Sequence, residues 1–203
     1  EHGRGIRDCH LLEPDADIRP EEKAFLQQQG MNDGLKTNSR GALSKAYVVT
    51  IDRPVDMARG SMIASMLRTG NGFEVRDCDF GFNRSRGILI KASNGVVSGN
   101  RLTGCWGEAI KVAPEFWWLE SGSSADVRIE NNTIEDCRDI AIAVYAFGGT
   151  GTIPPAGAHR NIVLSRNTIR NSPLPNILVT STAGLELSGN LCHPQDDVAG
   201  AAT

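Results

Sequence analysis

An apolar residue followed three places later by Asn or Cys recurs along this chain, and that recurrence constrains the fold more than any other feature. It is seen in IRDC (6–9), VRDC (75–78), VSGN (97–100), IENN (129–132), LSRN (164–167) and LSGN (187–190). The apolar anchors Val75 and Val97 are 22 residues apart, and Leu164 and Leu187 are 23 apart. The two intervening steps, Val97 to Ile129 and Ile129 to Leu164, are 32 and 35. A period of about 22 with extra residues in two of its turns accounts for all four steps. The extra residues fall in PEFWWLESGSS (114–124) and FGGTGTIPPAGA (147–158). A second apolar string follows each of four motifs: GILIKA (87–92), AIKVA (109–113), AIAVYA (141–146) and NILVTS (176–181).

A fixed period of this length, filled with short strands and turns, is the mark of a stacked repeat. The expected fold is all-β: a right-handed, single-stranded parallel β-helix in which each period is one coil. Successive coils lie about 4.8 Å apart, the strand-pairing distance. Asn at one corner of each coil suits a left-handed turn, and its amide can hydrogen-bond its counterpart one coil away. The expected ladder is Asn100, Asn132, Asn167 and Asn190. A β-sandwich could use similar turns but does not require a 22-residue period.

The five cysteines follow the same spacing. Cys105 and Cys137 should stack on adjacent coils, and Cys9 and Cys78 take the ladder position in theirs. All five are read as small buried hydrophobes rather than a disulfide framework, although adjacent stacking makes a Cys105–Cys137 bridge conceivable. No Cys or His spacing suggests a metal site.

The first third departs from the period. The expected organisation is one domain over 1–203, with 12–70 as an insertion. Within it, 18–29 reads as a short helix with Pro20 near its start, and 46–54 and 61–67 read as a β-hairpin. No N-terminal cap is legible, as expected of a piece of a longer protein. The formal net charge of −3 gives no basic surface for nucleic acid. No run of eighteen apolar residues marks a membrane span. Nothing in the sequence sets an oligomeric state.

The chemically loaded stretch is GEAIKVAPEFWWLESG (107–122), with Glu108, Glu115 and Glu120 around Trp117 and Trp118. Glycoside hydrolysis needs two carboxylates with different proton affinities, and exposed Trp rings stack on sugar faces. The coil before it contributes Arg84, Arg86 and Lys91. Strand alternation puts Leu89 and Lys91 outward, so that Lys91 beside Lys111 would form a basic stripe able to bind sugar hydroxyls or a uronate. Taken alone, Lys111 reads as solvated surface. The third candidate is Asp33 in GMNDGLKTN (30–38), which also reads as plain turn chemistry.

The strings GMNDGLKTN, NRSRGILIKAS and APEFWWLESG followed by VRIENNTI resemble the β-helical α-1,3-galactosidases of glycoside hydrolase family 110, over roughly 30–37 and 83–134. The resemblance implies an inverting hydrolase of terminal α-linked galactose that needs no cofactor or metal and takes a carbohydrate substrate. It also implies action outside the cytoplasm, extracellular or periplasmic. The family's acidic pair falls on Asn32-Asp33, so Asp33 alone carries over, and Glu120 matches its aromatic-x-Glu-x-Gly pattern. The implied catalytic carboxylates are Asp33 and Glu120, with Glu115 and then Glu108 in reserve. Arg84, Arg86, Lys91, Glu108, Trp117 and Trp118 would bind the sugar.

Two other readings stay open. A polysaccharide lyase would use Lys91 and Arg86, with Asp77 and Asp79 as carboxylates. A non-catalytic glycan-binding β-helix would need none of the carboxylates for chemistry.

Overall fold

A computed structural model describes residues 6–11, 19–21, 24, 31–32, 35–37, 43–44, 47–57, 69–115, 120–146 and 153–194. The chain divides into two units, 1–61 and 62–203. In the first, β1 (Ile6–Leu11) pairs antiparallel with β5 (Tyr47–Ile51). The short strands β2 (Met31–Asn32), β3 (Leu35–Thr37) and β4 (Leu43–Ser44) form a separate antiparallel sheet. IRDC (6–9) is therefore not a coil of the repeat, because its strand lies in an antiparallel pair. Within 18–29 only 19–21 and 24 are described, and Pro20, Glu21 and Ala24 are helical. The second strand of the expected hairpin, 61–67, lies outside the described residues.

The second unit is a parallel β-helix of stacked coils, as the period predicts. Its first sheet runs β18 (Thr182–Ser188), β15 (His159–Ser165), β12 (Ala125–Glu130), β9 (Gly95–Ser98), β6 (Glu74–Arg76). The second runs β19 (Leu191–Pro194), β16 (Thr168–Ser172), β13 (Thr133–Glu135), β10 (Arg101–Thr103), β7 (Asp79–Gly81). The third runs β17 (Ile177–Val179), β14 (Ile142–Val144), β11 (Ile110–Val112), β8 (Ile88–Ile90).

Register makes the core a set of side-chain stacks. Val75, Val97, Ile129, Leu164 and Leu187 align, as do Ile88, Ile110, Ile142 and Ile177. In the middle coils Val97, Leu102, Ile110, Ile129, Ile134, Ile142, Leu164 and Ile169 are fully buried. Each such side chain contributes about 1.5–3 kcal/mol. Gly95 is required where it stands, since a Cβ there would lie 2.0 Å from the ring of Phe73 one coil away.

The Asn ladder is present in full. The Nδ2 atoms of Asn100, Asn132 and Asn167 each donate to the Oδ1 of the next Asn at 2.9–3.0 Å. The same Oδ1 accepts the backbone N–H of the previous coil's Asn, and each Nδ2 also donates to a backbone carbonyl. Cys78 joins by its backbone N–H, which donates to Asn100. The left-handed residue, however, stands one place earlier than the ladder Asn. Positive φ is found at Asp77, Gly99, Asn131, Arg166 and Gly189. The Asn131-Asn132 pair thus divides two tasks: Asn131 makes the turn and Asn132 makes the ladder.

All five cysteines are free. Cys105 and Cys137 are buried, whereas Cys9, Cys78 and Cys192 are exposed, so only the first two behave as core hydrophobes. Cys9 is exposed because its strand is outside the stack. Cys78 and Cys192 belong to the first and last coils described, where stacking is one-sided.

Candidate functional site

The long turn after β11 leaves the coil at Pro114 and comes back at Ser121, whose N–H donates to the Pro114 carbonyl at 3.2 Å. The Ser121 hydroxyl donates to the Lys91 carbonyl at 2.8 Å, fastening the turn to the preceding coil. Glu115 is held at φ +54, in the left-handed region, where a non-glycine residue is costly. That conformation accompanies a double ion pair: Glu115 meets Lys111 at 2.9 Å and Arg86 at 3.1 Å.

Lys111 is the centre of the cluster. It also pairs with Glu108 at 3.1 Å, and its ammonium stands 4.8 Å above the ring of Tyr145. The Tyr145 hydroxyl donates to Glu108 at 2.8 Å. The side chains of Lys111, Glu115 and Glu108 are 7 %, 10 % and 13 % exposed. The expectation that Lys111 is solvated surface is corrected: it points outward from the coil, but Glu108, Glu115 and Tyr145 surround its ammonium.

Burial opposes every charge in this group, and hydrogen bonding answers it. Desolvation pushes the Glu108 carboxyl up, but bonds from Tyr145, its own backbone N–H and Lys111 bring it below the ordinary range. Desolvation pushes Lys111 down, but Tyr145, Glu115 and Glu108 hold it above the usual lysine value. Burial leads the rise at the Tyr145 phenol. Glu108 and Lys111 are therefore both charged at neutral pH.

Lys91 stands at the end of the same strand row and pairs with Glu120. Glu120 is the open carboxylate, with its side chain 48 % exposed. Burial lowers the Lys91 pKa, with Arg86 and Lys111 adding to the fall and Glu115 opposing it. The expected stripe of Lys91 beside Lys111 does not form. In the parallel register Lys111 lies opposite Leu89, and carboxylates neutralise both lysines.

The structure thus brings together Arg86, Lys91, Glu108, Glu115 and Glu120. Arg84 is exposed, two residues from Arg86. Asp33, Trp117 and Trp118 lie outside the described residues. Asp77 and Asp79 occupy the β6–β7 corner, whereas Lys91 follows β8, so different parts of the coil carry them.

Two residues were missed. Tyr145 is the fifth residue of the alternating string AIAVYA (141–146), which signals an outward position but not its partners. His159 has no sequence signal. It is fully buried, and its Nδ1 accepts the Ser124 N–H at 3.1 Å. Nε2 therefore carries the proton and donates to the Tyr145 carbonyl at 3.0 Å. Among the described residues, no group of three or more His, Cys, Asp or Glu is placed to hold a metal ion.

Stacked coils and an outward polar cluster beside a long turn define a β-helix protein, and comparison places the chain there. The family described as right-handed beta helix region matches residues 60–192, and the chain belongs to it. Among individual proteins, the chain is 28 % identical over 186 residues to Alpha-1,3-galactosidase B of Bacteroides thetaiotaomicron, a match that takes in 85 % of this chain. The match spans 30 % of that relative's length. No solved structure gave a significant match.

Proposed function

We propose that the chain is part of a carbohydrate-active enzyme, a glycoside hydrolase that releases terminal α-linked galactose by a two-carboxylate, inverting mechanism. The observation that carries this reading is the Lys91–Glu120 pair at the open edge of the buried Arg86–Glu108–Lys111–Glu115 cluster. Similarity to a protein named as an α-1,3-galactosidase supplies the sugar and the linkage.

In this reading Glu120 and Asp33 are the reacting carboxylates. One would protonate the glycosidic oxygen and the other would activate a water on the opposite face of the ring. Glu120 suits such a role because a ligand can reach it and because Lys91 offers a cation that a sugar hydroxyl can share. Glu108 and Glu115 suit a supporting role. Each is committed to cations in a site with little water, so each fixes Lys111 and Arg86 instead of exchanging protons. Arg84, Trp117 and Trp118 would complete the sugar site.

Turnover of an α-1,3-linked galactoside is the test. Glu120→Gln and Asp33→Asn are each expected to lower kcat about a thousandfold. Full activity in both variants would sink the assignment. The full pairing of Glu108 and Glu115 also favours a second reading, a module that binds glycans without cleaving them. Under that reading Glu120→Gln keeps its affinity and the wild type yields no product.

A further inference from the structure

The corner that leads from the second sheet into the third carries two exposed aromatic rings that the proposed chemistry does not use. Phe82 is 79 % exposed and Trp106 is 54 % exposed. Phe82 sits at φ +56, a costly conformation for a bulky residue. The backbone bonds Phe82 N–H to Thr103 O, Gly104 N–H to Glu135 O and Asp136 N–H to Arg170 O align it with Gly104, Asp136 and Asn171. Those three positions hold the residue types that tolerate this turn, and each has positive φ. Phe82 alone places an exposed ring there. That ring lies across Gly104, where a Cβ would come within 2.8 Å of it. Gly104 is two residues before Trp106.

Trp106 is held as a flat surface. The bonds from Trp106 N–H to Asn83 O and from Arg138 N–H to Cys105 O stack Arg84, Trp106 and Arg138 on three successive coils. The Arg138 guanidinium lies over the indole, 4.3 Å from its centroid, and covers one face. Arg76, Arg86, Arg101, Arg128, Arg166 and Arg170 each pair with a carboxylate, but neither Arg84 nor Arg138 forms an ion pair among the described residues. Trp106 precedes Glu108, the carboxylate paired with Lys111, by two residues, so the platform lies beside the buried cluster.

We propose that Trp106, backed by Arg138 and flanked by Phe82, is a stacking platform for the sugar ring next to the one held at Lys91 and Glu120. A planar ring fixed in advance loses little freedom on binding. Its open face offers apolar contact to the C–H side of a pyranose, and the unpaired guanidinium of Arg84 can donate to ring hydroxyls. Two side chains supply far less area than the roughly 800 Å² per partner that a stable protein interface buries, which favours a saccharide as the occupant. The proposal rests on the glycan reading above but not on catalysis.

The test is calorimetric titration of Glu120→Gln protein, with and without Trp106→Ala, using galactose and galactosyl-α-1,3-galactose as probes. Trp106→Ala is expected to weaken disaccharide binding tenfold or more while leaving galactose within twofold, and Trp106→Phe is expected to restore most of the loss. Unchanged disaccharide affinity overturns the platform, as does an equal loss for both probes or no saccharide binding at all. Wild-type turnover, measured alongside, separates the two ideas. The binding pattern without product keeps the platform and removes the hydrolase. Product without the pattern does the reverse.

Discussion

Lys111 shows how a single charge can be enclosed on the outside of a solenoid. It is tolerated because two carboxylates and a phenol meet it, and removing it would strand them. Lys111→Met is expected to destabilise the fold by about 3–5 kcal/mol at pH 7, since Glu108 and Glu115 would remain buried without their shared cation. Urea unfolding of the wild type and the variant at pH 7 measures the loss. His159 gives a pH dependence of its own. Burial lowers its pKa, so the fold holds it neutral while the unfolded chain protonates more readily. Its stabilising contribution is fully present above the unfolded value of about 6.5 and is lost as pH falls from there through the folded value. Wild-type stability should therefore decline between pH 7 and pH 5. His159→Gln should be less stable at pH 7 and flatter over that interval, and equal slopes would contradict the assignment. Neither residue's role could be read in the sequence. The partners of Lys111 are three and four residues away and on the next coil, and those of His159 are brought to it only by stacking.

At the scale of one coil, Asn131 and Asn132 have separable energetics. Asn132 serves four hydrogen bonds: its Oδ1 takes two from Asn100 and its Nδ2 gives two, to Val97 O and Asn167 Oδ1. Asn132→Ala leaves several buried groups unsatisfied and should cost about 3 kcal/mol or more. Asn131 contributes a left-handed backbone, so Asn131→Gly should be close to neutral and Asn131→Ala should cost about 1 kcal/mol. Denaturant midpoints of the three variants check that order. The ladder was legible because a buried amide repeated at one period can satisfy its own kind. The turn position was misread by one residue because Gly, Asn, Asp and Arg all occupy it, leaving no single residue type to mark it. The Lys91–Lys111 stripe failed for a related reason: alternation gives the face of a strand, but register across coils depends on how residues are distributed in the turns.

For the whole molecule, stability should be graded along the stack, because each coil is buried by its neighbours. Leu185 and Leu187 align with the fully buried Ile162 and Leu164, yet they are 43 % and 56 % exposed. Amide hydrogen exchange is expected to be slowest in β9–β16 and fastest in β18 and β19, and uniform protection would contradict a nearest-neighbour stack. The period that revealed the coils says nothing about a segment that lacks it. Residues 1–61 form a separate unit, and the IRDC motif there is a four-residue coincidence on an antiparallel strand. A motif this short has meaning only when the next copy stands at the right distance.

Cleavage of a terminal α-linked galactose by this β-helix through Glu120 is the proposal to test. The most direct measurement is incubation with a panel of α-galactosides and uronate polymers, with and without a chelator, with products read by mass spectrometry for the wild type and Glu120→Gln. Free galactose from α-1,3-linked galactosides is expected, unaffected by the chelator and released about a thousandfold more slowly by the variant. An unsaturated, chelator-sensitive uronate product, or no product from any substrate, would contradict the proposal.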